Sequence, residues 1–264
     1  MIMAKYPELK ALILDMDGVL WRDTEPIGNL PSIFKRIDDL GLKFVLATNN
    51  GSKTITEFLD KLTGFGLILA PQQIVTSAMA TGSYLTRRFP QKGLVYVVGS
   101  TGLKSTLAGY GFIHDELITA QSGLAVVIGL DLEVNYEKLA KASSLVRAGL
   151  ALIGTNPDIT YPTPQGLLPG AGTIIRAVET ASEVDAIIIG KPKPELFIKA
   201  LEVLGTLPQE TLVVGDRLET DIAAAQATGC LSALVLSGAS TLEQAQNWYP
   251  QPDIIVKDLA ELIR

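Results

Sequence analysis

Short apolar runs alternate with amphipathic stretches along nearly all of the chain. Brief apolar runs are typical of buried strands, whereas apolar positions spaced by three and four are typical of helices. The pattern predicts nine strands, at residues 10–15, 43–47, 94–98, 124–129, 150–153, 186–190, 211–215, 233–236 and 253–256. It predicts ten helices, at residues 29–40, 53–65, 71–89, 101–109, 135–148, 171–182, 194–205, 218–228, 240–247 and 257–263. This alternation favours an α/β fold in which helices cover both faces of a parallel sheet.

Nine strands are many for one sheet in a chain of 264 residues, so we expect two domains. We assign residues 1–80 and 187–264 to a Rossmann-like, doubly wound core domain, and residues 81–186 to an inserted α/β domain. Gly82 and the Pro90–Gly93 region mark the first crossing, and the polar segment "TASEVDA" marks the second.

Composition narrows the classes of protein to consider. Hydrophobic residues make up 47% of the chain, yet no apolar run approaches the roughly 20 residues that cross a bilayer. The beginning, "MIMAKYPELK", has no apolar signal-peptide core, so we expect a soluble cytoplasmic protein without a membrane partner. A net charge of −6 disfavours nucleic acid as a partner. One cysteine, Cys230, and one histidine, His114, disfavour disulfides and Cys- or His-based metal sites.

The stretch "KALILDMDGVLW" places two carboxylates, Asp15 and Asp17, directly after a buried strand. Like charges this close repel each other, and burying either is costly unless something neutralises it. A simple Asp-Gly turn is the alternative explanation.

Polar residues follow other predicted strands of the core domain in the same way. In open parallel sheets, ligands bind outside the carboxyl ends of the strands, so residues that follow parallel strands share one edge. The residues collected by this rule are Asp15 and Asp17, Thr48, Asn49 and Asn50, Lys191, and Asp216 with Asp221.

This set has the composition of a site for a metal ion and a phosphate group. Crowded carboxylates require a cation, and oxygen ligands suit Mg²⁺, whose remaining shell is often filled by phosphate. Ionised Asp15, Asp216 and Asp221 carry −3, which Mg²⁺ and Lys191 balance, and Asp17 is then left to be protonated as a general acid.

Phosphate-binding groups are present in the same set. Lys191 supplies a positive charge, Thr48 a hydroxyl group, and Asn49 and Asn50 amides at a predicted helix start. These residues also have purely structural explanations: the residues from Thr48 to Asn50 could cap a helix, and Lys191 could be a solvated loop lysine. Asp221, from the carboxylate group, could likewise serve only as a helix cap.

Four segments together resemble the ordered motifs of the haloacid dehalogenase superfamily of phosphatases: "DMDGVL", "TNN", "GKPKPELF" and "GDRLETDI". The insertion, which contains "ALIGTNPD", resembles the C2-type cap of subfamily IIA. That branch contains NagD-like, 4-nitrophenyl phosphate, phosphoglycolate and pyridoxal phosphate phosphatases. The resemblance implies Mg²⁺-dependent hydrolysis of small phosphate esters through an aspartyl-phosphate intermediate, with a homodimer formed through the cap.

The resemblance also implies a role for each motif residue. Asp15 is the nucleophile, and Asp17 protonates the leaving group and then deprotonates the attacking water. The expected ligands of Mg²⁺ are the side chains of Asp15 and Asp216 and the backbone carbonyl of Asp17. Asp221 holds metal-bound waters or orients Lys191. The transferring phosphoryl group is bound by Thr48, Asn49, Asn50 and Lys191.

Several alternatives stay open at this stage. The same nucleophile could serve a phosphotransferase or mutase, and the same fold could serve a non-catalytic protein that binds a phosphate ligand. Trp21 and Arg22 either face the leaving group or are structural. Asn156, Pro157 and Asp158 either contact substrate, by resemblance, or form a simple turn.

Overall fold

The computed structural model describes residues 2–163 and 166–264, over which short strands and helices alternate. The strands are β1 (Ala11–Leu14), β2 (Trp21–Arg22), β3 (Glu25–Pro26), β4 (Lys43–Thr48), β5 (Ile74–Thr76), β6 (Gly93–Val98), β7 (Phe112–His114), β8 (Gly123–Ile128), β9 (Ala151–Gly154), β10 (Thr160–Thr163), β11 (Gly166–Pro169), β12 (Ile187–Ile188), β13 (Thr211–Gly215), β14 (Leu231–Val235) and β15 (Ile254–Val256).

The helices are α1 (Ile2–Lys5), α2 (Leu30–Asp39), α3 (Ile55–Gly64), α4 (Ser77–Arg88), α5 (Thr101–Gly109), α6 (Tyr136–Arg147), α7 (Ala171–Ser182), α8 (Glu195–Leu204), α9 (Ala223–Thr228), α10 (Leu242–Asn247) and α11 (Leu259–Leu262). Short 3₁₀ turns cover Pro71–Gln73 and Pro208–Glu210. A π-helical segment, Leu218–Ile222, leads directly into α9.

The first sheet has six strands in the order β15-β14-β13-β1-β4-β5. The pairs β14–β15, β13–β14, β1–β13 and β1–β4 are parallel. All four residues of β1 are buried, as expected for a central strand covered on both faces. In the β1 register, Leu14 pairs with Val214 on one side and with Leu46 on the other, so the residues that follow these strands emerge at the same edge.

The second sheet has five parallel strands in the order β12-β9-β8-β6-β7 and has its own apolar core. Two antiparallel hairpins, β2–β3 and β10–β11, complete the strands. The predicted α/β class with parallel, helix-covered sheets is therefore confirmed.

Contacts divide the chain into two units. The first comprises the chain up to Thr48, Ile55–Val75 and Lys191–Arg264, and the second comprises Asn49–Thr54 and Thr76–Gly190. These bounds differ by a few residues from the sequence-based ones, and the segment 49–54 joins the inserted part. Gly82 lies inside α4 rather than at a crossing, because the helix continues to Arg88.

One strand assignment was wrong. The run at 186–190 was expected in the core sheet, but β12 pairs with β9 of the second sheet. The hydrophobic pattern identifies a buried strand without identifying its sheet, since both sheets bury similar Val, Ile and Leu runs.

The predicted helix at 71–89 was also too long, because its first part contains a 3₁₀ turn and strand β5. In the described residues no helix combines the length and apolar character needed to cross a membrane.

Candidate active site

The first unit gathers three carboxylates and one ammonium group at the carboxyl edge of its sheet. Asp15 continues the pairing of β1, since its backbone N–H donates to Val214 O at 2.9 Å. The Lys191 Nζ donates to Asp15 Oδ1 and to Asp221 Oδ1, both at 2.6 Å. The Lys191, Asp15 and Asp221 side chains are 4%, 12% and 1% exposed, so these ion pairs are largely shielded from water.

Asp221 also organises the loop that follows β13. Its second oxygen, Oδ2, accepts the backbone N–H groups of Asp216 at 3.2 Å and Arg217 at 3.1 Å. The carboxylate therefore caps the backbone at the entry to the π-helical segment and holds Lys191 at the same time. Asp221 therefore makes the contacts expected of a backbone cap and those expected of a partner for Lys191, one with each carboxylate oxygen.

The Asp216 side chain lies between two close backbone segments, one at Gly18 and the other at Gly238. Gly18 has φ of +80°, and a Cβ built there would lie 2.4 Å from Asp216 Oδ2. On the other side, the Ala239 N–H donates to Asp216 Oδ2 at 2.7 Å. Gly18 is therefore required both by its backbone conformation and by the space that the carboxylate occupies.

The loop after β14 was not among the sequence-based candidates, although it touches the site. Ser240 N–H donates to Asp216 O at 3.0 Å, and Ser237 Oγ donates to Gly18 O at 2.7 Å. The signal was present: "SGAS" follows a strand of the same sheet, just as the collected residues do.

The electrostatics of the group follow from burial and mutual repulsion. Burial raises the pKa of Asp15 well above its ordinary value, and the Asp221 and Asp216 charges add to this, while Lys191 opposes it. Burial and the Asp221 charge raise the pKa of Asp216 to about 6. Burial tends to lower the pKa of Lys191, but the Asp15 and Asp221 carboxylates outweigh it and raise that pKa.

The residues fit a divalent metal ion. Asp15, Asp216 and Asp221 each offer a carboxylate oxygen within 4.8 Å of the others. Three carboxylates and one ammonium group give a formal charge of −2, which a divalent cation would neutralise while favouring the ionised acids. The three clustered carboxylates are not the same as the expected ligands of Mg²⁺. Asp15 and Asp216 belong to both sets, but the cluster adds the Asp221 carboxylate, whereas the expected third ligand is the backbone carbonyl of Asp17.

Asp17 and Thr48 belong to the same unit as this cluster. Asp17 is exposed, and its Oδ1 accepts the indole N–H of Trp21 at 2.7 Å. Trp21 itself is only 1% exposed, so its ring packs into the core beside the loop. Thr48 is buried and forms the last residue of β4, next to β1.

Asn49 and Asn50 fall in the second unit, and they do not begin a helix. Helix α3 starts only at Ile55, and Asn50 Oδ1 instead accepts the Ser52 backbone N–H at 3.1 Å. The predicted anion site, in which these amides begin a helix, is therefore wrong. The polar run "NNGSK" is compatible with a loop as well as with a helix start, which is why the pattern could not decide.

The "TNPD" segment surrounds Asn49 within the second unit. Asn49 Nδ2 donates to Asp158 Oδ2 at 3.2 Å, and Asn156 Nδ2 donates to Asn49 O at 2.9 Å. The Asp158 N–H donates to Asn156 Oδ1 at 3.1 Å, as in the turn that was one of the two explanations. The segment thus holds Asn49 in addition to turning the chain.

Comparison with known proteins places this arrangement in a family. The family model described as haloacid dehalogenase-like hydrolase matches residues 12–113, and a second, described as HAD-hydrolase-like, matches residues 188–262. The chain belongs to the haloacid dehalogenase-like hydrolases. The two matches contain the segments with Asp15, Thr48, Lys191 and Asp216, on which the resemblance was based.

The chain matches relatives over nearly their whole length, and two of the three given below carry phosphatase names. An acid sugar phosphatase of Staphylococcus aureus is 38% identical over 258 residues, which cover 97% of each chain. A 4-nitrophenylphosphatase structure from Thermotoga maritima matches with a TM-score of 0.89 and 32% identity, covering 97% of each chain. NagD from Escherichia coli matches with a TM-score of 0.87 and 33% identity, covering 96% of this chain and 98% of its own. The predicted family and its phosphatase branch are confirmed.

Proposed function

We propose that this hydrolase is a Mg²⁺-dependent phosphomonoester hydrolase that acts on small phosphate esters through an aspartyl-phosphate. The observation that carries the proposal is the Asp15 carboxylate, placed at the end of β1 against Lys191 and within reach of Asp216 and Asp221. A bound Mg²⁺ would be held by Asp15, Asp216 and the backbone carbonyl of Asp17, and would neutralise charge on the phosphoryl oxygens.

Asp15 is the nucleophile of the first step. Lys191 holds its Oδ1, which leaves Oδ2 to attack phosphorus in line. As the new bond forms, the bond between phosphorus and the leaving oxygen breaks, and Asp17 gives that oxygen a proton. Fixed charges around the transferring group supply most of the rate acceleration in phosphoryl transfer.

Water completes the reaction in the second step. The Asp17 carboxylate takes a proton from water, whose oxygen bonds to phosphorus while the bond to Asp15 breaks. Thr48 and Lys191 bind the phosphoryl group in both steps, and Asn49 and Asn50 remain candidates for the same role. Asp221 orients Lys191, to which it is joined at 2.6 Å.

The names of the relatives guide the choice of substrates. Acid sugar phosphatase and 4-nitrophenylphosphatase are the names of two relatives, so sugar phosphates and 4-nitrophenyl phosphate are the first esters to test. Phosphoglycolate and nucleoside monophosphates complete a panel of small esters.

The decisive experiment measures release of 4-nitrophenol by the native chain and by Asp15→Asn, with Mg²⁺ and with EDTA. We expect hydrolysis only with Mg²⁺ and a loss of about a thousandfold or more in Asp15→Asn. Asp39→Asn, an exposed carboxylate paired with Lys35, is the matched control and should retain full activity. Acid quenching followed by mass analysis should find one phosphoryl group on the peptide that contains Asp15.

Other outcomes would select a different function. Full activity in Asp15→Asn would show that another group is the nucleophile. A native chain that transfers phosphate to an added alcohol but not to water would be a phosphotransferase. A native chain inert towards the whole panel would favour a protein that only binds a phosphate ligand.

A further inference from the structure

Trp21 presents a single polar atom, and that atom points at Asp17. The indole N–H donates to Asp17 Oδ1 at 2.7 Å, a short and therefore strong contact for a neutral donor. The tryptophan is 1% exposed, whereas Asp17 is exposed. A buried donor thus holds one carboxyl oxygen, Oδ1, of a residue that is otherwise exposed.

The indole ring is fixed from several sides. The Lys61 ammonium group lies 4.1 Å from the ring centroid, and Phe65 packs at 5.9 Å with a tilt of 41°. Lys61 is itself held, since Nζ donates to Asp23 O at 2.9 Å. The Gly18 N–H donates to Trp21 O at 2.7 Å and ties the β2–β3 hairpin back to the loop of Asp17. These contacts hold the indole ring, and with it the direction of its N–H, against the core.

We propose that Trp21 is a positioning residue for Asp17 that makes its two carboxyl oxygens chemically unequal. This inference rests on the proposed phosphatase function. In a carboxylic acid the carbonyl oxygen is a stronger hydrogen-bond acceptor than the hydroxyl oxygen, so the oxygen that accepts the indole N–H is favoured as the carbonyl oxygen. The proton of the acid form therefore resides on Oδ2, the oxygen that faces away from the indole.

This assignment fixes the path of the proton in both steps. The Oδ2–H bond breaks and its proton passes to the leaving oxygen while the phosphorus–oxygen bond breaks and the bond to Asp15 forms. The resulting carboxylate keeps the indole N–H at Oδ1. In the second step, Oδ2 removes a proton from the attacking water, which restores the acid as Asp15 is released.

The test compares phenyl phosphate with 4-nitrophenyl phosphate, two aryl esters whose leaving groups differ in how much they depend on protonation by a general acid. Phenolate is more basic than 4-nitrophenolate, so loss of the proton donor slows phenyl phosphate more. The ratio kcat/KM reports the steps up to formation of the aspartyl-phosphate. We expect Trp21→Phe to lower kcat/KM for phenyl phosphate about tenfold more than for 4-nitrophenyl phosphate, and Asp17→Asn to widen the gap further.

The chain offers a matched control for this substitution. Trp248, the second of two tryptophans, donates its indole N–H to Gln226 Oε1 at 3.3 Å. Trp248→Phe removes an indole donor elsewhere and should leave the ratio between the two esters unchanged. An equal loss on both esters in Trp21→Phe would overturn the positioning role while leaving the phosphatase intact. A native chain inactive on both esters would overturn the proposed function and, with it, this inference.

Two further measurements cover the case in which Trp21→Phe does not fold. Benzothienylalanine at position 21 keeps the shape of indole but lacks the N–H, and it should change the ester ratio as Phe does. Independently of activity, Trp248→Phe identifies the Trp21 indole N–H resonance. That resonance should move upfield in Asp17→Asn because an amide oxygen is a weaker acceptor. An unmoved resonance would overturn the proposal.

Discussion

At the scale of single residues, Lys191 compensates the charge that three carboxylates bring into the interior. It is 4% exposed and joins Asp15 and Asp221 at 2.6 Å each. Removing one member of a buried ion pair leaves an uncompensated charge, at a cost of about 3–5 kcal/mol. We therefore expect Lys191→Met to lose about that much free energy of unfolding in EDTA, measured by urea denaturation, together with its phosphatase activity.

Lys138→Met is the matched control for this prediction. Lys138 pairs with the buried Asp131 at 2.8 Å, but its own side chain is 23% exposed. Water can therefore replace the lost partner, and we expect a loss of about 1 kcal/mol with activity retained. Equal losses in the two variants would mean that Lys191 is not the main compensating charge of the site.

Gly18 allows a prediction that separates backbone strain from crowding. Gly18 and Gly41 both have positive φ, +80° and +70°, so an alanine at either position costs about 1 kcal/mol. A Cβ at Gly18 would also lie 2.4 Å from Asp216 Oδ2, whereas a Cβ at Gly41 would meet no described atom within 4 Å. Gly18→Ala should therefore also weaken Mg²⁺ binding, measured by calorimetry, and Gly41→Ala should not. Equal Mg²⁺ affinity in both variants would contradict this account.

At the scale of elements, helix α5 contains two glycines for which the same substitution should have opposite effects. A Cβ at Gly109, the last residue of the helix, would meet no described atom within 4 Å. A Cβ at Gly102 would lie 2.9 Å from Ser52 O, a backbone atom of the same unit. We expect Gly109→Ala to stabilise by about 0.5 kcal/mol through helix propensity, and Gly102→Ala to destabilise by about 1–3 kcal/mol.

Chemical denaturation of the two α5 variants checks this prediction. The sign of each change in the free energy of unfolding is the critical result. Both substitutions raise helix propensity, but only the alanine at position 102 would press against a backbone atom, Ser52 O. If both variants were stabilised, the contact between the segment 49–54 and α5 would be looser in solution than the structure shows.

The elements also show how far a sequence can be interpreted. Strands such as β4 and β13 were predicted because each carries a short unbroken apolar run, "FVLA" and "LVV", with polar residues soon after it. Hairpin strands β2 and β3 have two residues each, too few for any period to appear. Asp15 and Asp216 were predicted from the same apolar runs as the sheet, because each closely follows the end of one such run. The roles of Trp21 and Gly18 depend on close approaches between loops, which no local pattern reports.

At the scale of the whole molecule, the acidic site links stability to pH and, under the proposed function, to Mg²⁺. Burial raises the pKa of Asp216 from 3.8 to about 6, and it raises the pKa of Asp15 in the same direction. The folded state therefore holds protons that the unfolded chain has released, so without metal its stability falls as pH rises from about 4 to about 6. Bound Mg²⁺ competes with those protons, so it stabilises the folded state more above this window than below it.

The expected result is a thermal shift that depends on pH. With Mg²⁺ at about 100 times its Kd at pH 7.5, the folded state gains about 2.7 kcal/mol. Protonation of Asp216 alone should reduce this gain to about 1.4 kcal/mol at pH 5, and protonation of Asp15 should reduce it further. Asp216→Asn removes both a ligand and a titrating group, so it should lose the Mg²⁺-induced rise in Tm. It should also show a smaller fall in metal-free stability between pH 4 and pH 6. An equal rise in Tm at both pH values in the native chain would mean that Mg²⁺ stabilises it at groups other than these buried carboxylates.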